Sequence, residues 1–284
     1  MPRLPLSPYH PLLRCGLFVV FYLGSLLLGV TLAQLILQPF HLPAQDFSLL
    51  ATVLGGLLGV ATATGLMLAL YERQSFGFVG LSLDPACGPQ LGGGFLLGFA
   101  MAGTVAAIAA ACGQVRIQAN SDFQTSRLAY AVVVLLLGAA GEEMLFRGYG
   151  FQRLVAAAGP ALSIGGASLL FGLLHRSNPA VTRLGVVNTI LVGVLLALAY
   201  LRTRRLWLPI GLHWGWNLAG AALGFPVSGI RIEGMPLVAG PLGHPLITGG
   251  AYGPEASVLA TLVILAGTAG LLMLNKPTAG SRNA

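Results

Sequence analysis

Charge is what this sequence has least of. Only 8% of its 284 residues are Asp, Glu, Lys or Arg. A soluble domain carries about a quarter charged residues, so this set is too small to coat a water-exposed globule. Cysteine is scarce as well. Cys15, Cys87 and Cys112 are odd in number, far apart and without a CxxC pair, which excludes a disulfide framework and a zinc ribbon. No HExxH occurs, so the common helical zinc-protease signature is missing too. A net charge of +7 invites a nucleic-acid reading, but the basic residues form no stripe interleaved with aromatics. Attraction to anionic headgroups and the positive-inside bias account for them, and nucleic acid is not an expected partner.

What the chain has is apolar length. Hydrophobic residues make up 56% of it and the mean hydropathy is +0.83. Apolar runs long enough to cross about 30 Å of hydrocarbon as helices recur along it. They read as eight spans, at 15–37, 48–70, 90–112, 127–145, 160–176, 184–201, 207–224 and 256–274. The 40 glycines fit this setting, because small residues let membrane helices approach closely. The expected fold is all-α: a polytopic transmembrane bundle of about eight helices in one membrane domain over 1–284, with the lipid bilayer as a partner. Arg3 and Arg14 before the first span resemble a signal-peptide start. That span is longer than a usual signal core, and Thr31-Leu32-Ala33 is a poor cleavage site, so a retained helix is expected.

Orientation follows from the basic residues. With the N-terminus inside, Arg3, Arg14, Arg73, Arg147, Arg153, Arg202, Arg204, Arg205, Lys276 and Arg282 fall on the cytoplasmic side. Arg116, Arg127, Arg176, Arg183 and Arg231 fall outside. Ten against five points to a multi-pass protein of the cell membrane with both termini cytoplasmic. Two loops are long. Residues 71–89 read as an amphipathic interfacial segment. Residues 225–254, rich in Gly and Pro, are either a lid or an ordered stack of turns capping the bundle.

An ionisable side chain at membrane depth costs about 3 kcal/mol, so such residues should face inward and pair. Three groups qualify. In Glu142-Glu143-x-x-x-Arg147, Glu143 and Arg147 share a helix face and suit an ion pair. Glu142 points about 100° away and is expected to be buried but unpaired, a candidate general base. The alternative is that both glutamates simply meet water at the interface. In Phe171-x-x-x-His175 the two side chains lie on one face, though a lone histidine near a helix end is often structural. In His213-x-x-x-Asn217 two polar groups four apart aim into one cavity, while the flanking Trp214 and Trp216 read as interface-belt aromatics. Together these residues supply a base, a proton donor or ligand and an oxyanion stabiliser, the parts needed for amide hydrolysis.

In order and on separate helices, these motifs resemble those of the CPBP (Abi) family, which includes the type II CAAX prenyl endopeptidases and bacteriocin-processing proteins. The motif core covers 125–223. The resemblance implies an intramembrane endopeptidase acting on a membrane-associated protein or peptide, prenylated or unprenylated. Glu142 would activate water with help from His175, and His213 and Asn217 would stabilise the oxyanion. Glu143 and Arg147 would hold the cavity. Because the family is widely called metalloprotease, a rival version has His175 and His213 binding Zn²⁺ with a glutamate. Asn217 is a poor zinc ligand. A non-catalytic immunity or scaffold role for the same constellation stands as the other class. A transporter is disfavoured by the lack of repeat symmetry.

One depth mismatch needs an answer. Counted from the inner ends of their spans, His175 lies about 22 Å up and His213 about 9 Å up. If the two are to meet, the fifth span must begin well below the inner surface, and residues 147–158 are expected to continue the fourth helix into the cytoplasm.

Overall fold

In the computed structural model, which describes residues 10–273, the apolar windows fold as helices joined by mostly short connections. They are α1 (Pro11–Leu37), α2 (Ala44–Met67), α3 (Cys87–Ala111), α4 (Thr125–Arg147), α5 (Tyr149–Leu174), α6 (Arg183–Thr203), α7 (Trp207–Ala222), the single-turn α8 (Pro245–Thr248) and α9 (Val258–Met273). The all-α bundle of eight long helices is as expected. A small addition is an antiparallel ribbon of β1 (Val115–Ala119) and β2 (Leu237–Pro241), with Ile117 opposite Ala239. Of the residues used to orient the chain, Arg3, Lys276 and Arg282 lie outside the described residues.

Helical stretches over α1, α2, α3, α4–α5 and α6 are long and apolar enough to cross a membrane. Lipid-facing positions follow directly: Leu27 on α1 is 75% exposed, a position for hydrocarbon rather than water. The last two spans differ. α7 and α9 have 16 residues each, about 24 Å at the helical rise. Eleven residues of α7 are buried, and it packs against α3, α4 and α6. It is a core helix, and its polar side chains are thereby kept from lipid.

Glycine sets how close that packing is. Gly94 and Gly98 of α3 face the Leu208 and Leu212 carbonyls of α7, while Gly211 and Gly215 of α7 face the Leu91 and Phe95 carbonyls of α3. A Cβ at any of the four would collide with backbone, so the two helices meet main chain to main chain. Gly29, Gly55 and Gly59 do the same between α1 and α2.

The expectation for residues 147–158 is corrected. α4 ends at Arg147, and Gly148 leaves the helical region (φ −77°, ψ −131°). Residues 149–158 form a separate helical segment, which breaks again at Gly159 (φ 77°, ψ 168°) before Pro160 restarts the helix. The positive φ at Gly159 is one that L side chains avoid. The segment does not project from the bundle. Tyr149 and Phe151 are buried, with Tyr149 against Phe18 and Phe151 against Tyr200.

The 71–89 connection straps the start of α7. Val79 is buried, the Gly80 carbonyl accepts from Leu206 N (3.0 Å), the Ser82 carbonyl accepts from Trp207 Nε1 (2.9 Å), and Asp84 pairs with Arg205. That guanidinium, with the Ala86 amide, holds the Asp84 carboxyl below the usual carboxylate range. At the same end Glu72 collects Arg14 (2.9 Å), Arg153 (3.3 Å) and the Tyr149 hydroxyl (2.8 Å). At the opposite end Arg127 grips both Asp46 oxygens, at 2.5 and 3.0 Å, and residues 225–256 fold into ordered turns over the bundle.

Candidate active site

Three helices bring the six polar residues of the sequence motifs together. On α4, Glu143 and Arg147 stand one turn apart, and Arg147 Nη1 lies 3.0 Å from Glu143 Oε1. Both are fully buried, their side chains 0% and 1% accessible. Arg147 Nη2 also donates to the Gly193 carbonyl of α6 (3.1 Å), and its guanidinium lies 4.6 Å from the centre of the Phe171 ring. The pair is thus a crosslink between helices. Glu142, about 100° round the helix, has 42% of its side chain accessible. Burial falls on Glu143, and Glu142 is the carboxylate left open to a cavity.

That cavity has a volume of about 380 Å³ and lies between α2, α4, α7 and the 225–232 turn, with Glu142, His175 and Asn217 on its wall. His175 follows the last turn of α5, and its Nδ1 is 2.7 Å from the Phe171 carbonyl oxygen. A carbonyl only accepts, so the proton is on Nδ1 and Nε2 is free to turn outward. His213 on α7 is buried, its Nδ1 2.9 Å from Glu143 Oε1. Both Nε2 atoms then point at one oxygen: Glu142 Oε2 lies 4.0 Å from His175 Nε2 and 3.9 Å from His213 Nε2. Asn217, one turn beyond His213, makes no hydrogen bond within the protein among the described residues.

The depth mismatch is resolved by the broken α5. Ten helical residues, 149–158, take up about 15 Å of chain before the stretch from Pro160 to Leu174 begins, so His175 comes level with Glu142. Phe171 seals the inner side of the group. Its ring centre is 4.7 Å from that of His175, 6.2 Å from that of His213 and 5.0 Å from that of Phe146.

The two tryptophans are corrected from belt aromatics to interior hydrogen-bond donors. Trp214 Nε1 donates to the Val132 carbonyl (3.1 Å) and Trp216 Nε1 to Glu255 Oε1 (3.3 Å). Glu255 is the residue that sequence reasoning passed over. It sits in the capping turns, and its Oε2 accepts from the Ser228 amide (2.7 Å) and hydroxyl (2.8 Å). Its backbone carbonyl accepts from Asn188 Nδ2 (2.7 Å). Burial pushes its carboxyl above the ordinary range, against the Ser228 hydrogen bonds. With His175, His213 and Asn217 it lines a second, smaller cavity of about 40 Å³. Its signal was present: an acid just before an apolar helix, in a chain with only eight carboxylates.

A metal is the natural question for two imidazoles and a carboxylate. Zinc holds nitrogen and oxygen ligands at roughly 2.0–2.2 Å, which in a tetrahedron leaves them about 3.3 Å apart. Here the carboxylate–imidazole separations are 3.9 and 4.0 Å. Among the described residues no three metal-ligating side chains stand at coordination spacing. The three atoms are therefore spaced more widely than ligands on one zinc ion.

Residues 124–219, which run from the start of α4 through the end of the polar cluster on α7, match the family model described as type II CAAX prenyl endopeptidase Rce1-like. Neither the curated proteins nor the solved structures contain a match to the chain. Over this segment the chain, a multi-pass membrane protein, is similar to the Rce1-like type II CAAX prenyl endopeptidases.

Proposed function

We propose that the protein hydrolyses a peptide bond at the membrane with Glu142 as general base. The observation that carries this is the approach of both Nε2 atoms, at 3.9 and 4.0 Å, to a single Glu142 oxygen on the cavity wall. In this reading the attacking water binds among the three atoms. It donates one hydrogen to Glu142 Oε2 and the other to His175 Nε2, which has a lone pair because the ring proton is committed to Phe171. The remaining lone pair then faces a scissile carbonyl presented in the cavity.

As the new C–O bond forms, Glu142 takes the water proton. The oxyanion accepts from the Asn217 amide and from His213 Nε2–H. His213 carries both ring protons here, because the Glu143 carboxylate at Nδ1 balances the imidazolium charge and Arg147 in turn balances Glu143. Glu142 then returns its proton to the leaving amine as the C–N bond breaks, and the site is regenerated. Glu143 and Arg147 act by positioning. The family resemblance supports a membrane-associated protein or peptide as substrate, prenylated or unprenylated, and the apolar wall of Leu49, Val53, Val134, Leu135 and Ile230 supports an apolar one. The distribution of arginine supports residence in the cell membrane with the arginine-rich end in the cytoplasm.

The test uses the full chain purified in detergent with matched prenylated and unprenylated peptides. Glu142→Gln is expected to lower turnover by about 10³-fold with an unchanged melting temperature. Equal cleavage by this variant and the wild type would remove Glu142 as the base. A wild type that cleaves neither peptide, yet keeps a cellular phenotype that Glu142→Gln leaves intact, would favour a scaffold role. Treatment with a strong chelator is expected to leave turnover unchanged. A loss that zinc restores would transfer His175 and His213 to metal binding.

A further inference from the structure

A further cavity, which shares no lining residue with the two already described, lies at the arginine-rich end. It has a volume of about 270 Å³ and is walled by the 149–158 segment, the end of α6 and Phe78. None of the residues lining it is acidic. Its polar side chains are Gln152, Arg153, Tyr200 and Arg204. Tyr200 Oη accepts from Gln152 Nε2 (2.5 Å), so its own hydrogen is left to point elsewhere. Arg153 is held between two rings, its guanidinium 5.3 Å from the centre of Phe78 and 5.5 Å from that of Tyr149. One of its Nη atoms reaches Glu72 (3.3 Å), and its buried Nε has no hydrogen-bond partner. Arg204, in the left-handed C-cap position of α6 (φ 55°), places an exposed guanidinium at the rim and makes no side-chain ion pair among the described residues.

The charge balance is one-sided. Glu72, the carboxylate paired with Arg153, already serves Arg14, Arg153 and Tyr149 through one oxygen. Two guanidiniums, a hydroxyl and an amide around a polar hollow whose lining holds no carboxylate suit a tetrahedral oxyanion. The site is at the end of the bundle where α2, α4 and α6 finish and where Arg202, Arg204 and Arg205 cluster. An arginine cluster at a bundle end is suited to a headgroup layer.

We propose that Arg153, Arg204 and Tyr200 bind a phosphate group at this cavity, supplied by an anionic phospholipid of the surrounding leaflet. The lipid phosphate bridges the 149–158 segment and the α6–α7 turn. It thereby braces the same segment whose length sets the depth of His175. Phosphate from solution has the same chemistry, so source and site are tested separately.

The full chain is reconstituted in nanodiscs of phosphatidylcholine with increasing phosphatidylglycerol, and thermal unfolding and lipid retention by native mass spectrometry are read. Phosphatidylglycerol is expected to raise the melting temperature and to be retained as a discrete adduct. Arg204→Gln, on an exposed side chain that leaves the fold intact, should weaken retention about tenfold, the loss of one charge-assisted contact. Tyr200→Phe should weaken it less. Arg73→Gln removes the same charge from the same end outside the cavity and should retain lipid like the wild type. Equal retention by Arg204→Gln and wild type, or equal stabilisation by phosphatidylcholine alone, overturns the proposal. Inorganic phosphate added to lipid-free detergent samples separates the sources. No stabilisation there assigns the site to lipid. A rise that Arg204→Gln abolishes keeps the phosphate site and overturns the lipid source.

Discussion

At the scale of single residues, the site depends on one buried ion pair. Arg147 and His213 both meet Glu143 Oε1. Removing one member leaves a charge with no water to receive it. Arg147→Met is therefore expected to destabilise by about 3–5 kcal/mol, read as a fall in thermal midpoint in detergent. The double change Glu143→Gln with Arg147→Met should recover much of that stability and little of the activity. Glu255 carries a different prediction. Its raised carboxyl binds a proton more tightly in the folded chain than in the unfolded one. Its stabilising contribution is then fullest below the ordinary carboxylate range, near pH 4, and declines as pH rises through the shifted range. Unfolding midpoints of Glu255→Gln between pH 4 and 7 should vary less than those of the wild type. Glu255→Ala, which leaves the Ser228 and Trp216 donors unmet, should cost about 1–3 kcal/mol at either pH.

At the scale of elements, the decisive contact is the backbone meeting of α3 and α7. It positions His213 and Asn217 because α7 has no freedom to slide once Gly211 and Gly215 lie against Leu91 and Phe95. Gly98→Val should push α7 away from α3, lowering stability and peptide turnover together. Gly92 lies on the same helix with open space around it, so Gly92→Ala should stabilise by up to about 1 kcal/mol with turnover unchanged. Thermal shift and peptide assays on the two variants separate close packing from glycine content. The reason α5 is broken is of the same kind. A continuous helix after α4 would have carried the chain away from the bundle and left His175 at the wrong depth. Gly148 and Gly159 instead fold ten residues back into contact with α1 and α6.

At the scale of the whole molecule, the two ends differ in charge and in covering. One end carries the arginine cluster and the 71–89 strap, and the other carries the β-ribbon and the capping turns. Cys112 is exposed at the end of α3 beside the ribbon, and Cys87 lies at the opposite end of the same helix. A membrane-impermeant maleimide added outside intact cells should label Cys112 and spare Cys87. The reverse pattern would invert the topology inferred from the arginines. Each helix was legible because apolar length is a local property of the chain. Glu143–Arg147 was legible because four-residue spacing shares a helix face. The break over 148–159, the burial of Glu143 in place of Glu142, the inward turn of both tryptophans and the hold of Glu255 on Ser228 were not. Each depends on which neighbour arrives from elsewhere in the chain.

What the amino-acid order determined by itself is a membrane-spanning helical chain with its scarce charges set on three helix faces, since hydrophobic runs and helical periodicity act over a few turns. What only the tertiary structure decided is that those faces meet. Glu142, His175 and His213 lie 33 to 71 positions apart in the sequence yet surround one point. Helix breaks, glycine contacts and a buried ion pair set their depth and rotation, and those are properties of the packed bundle.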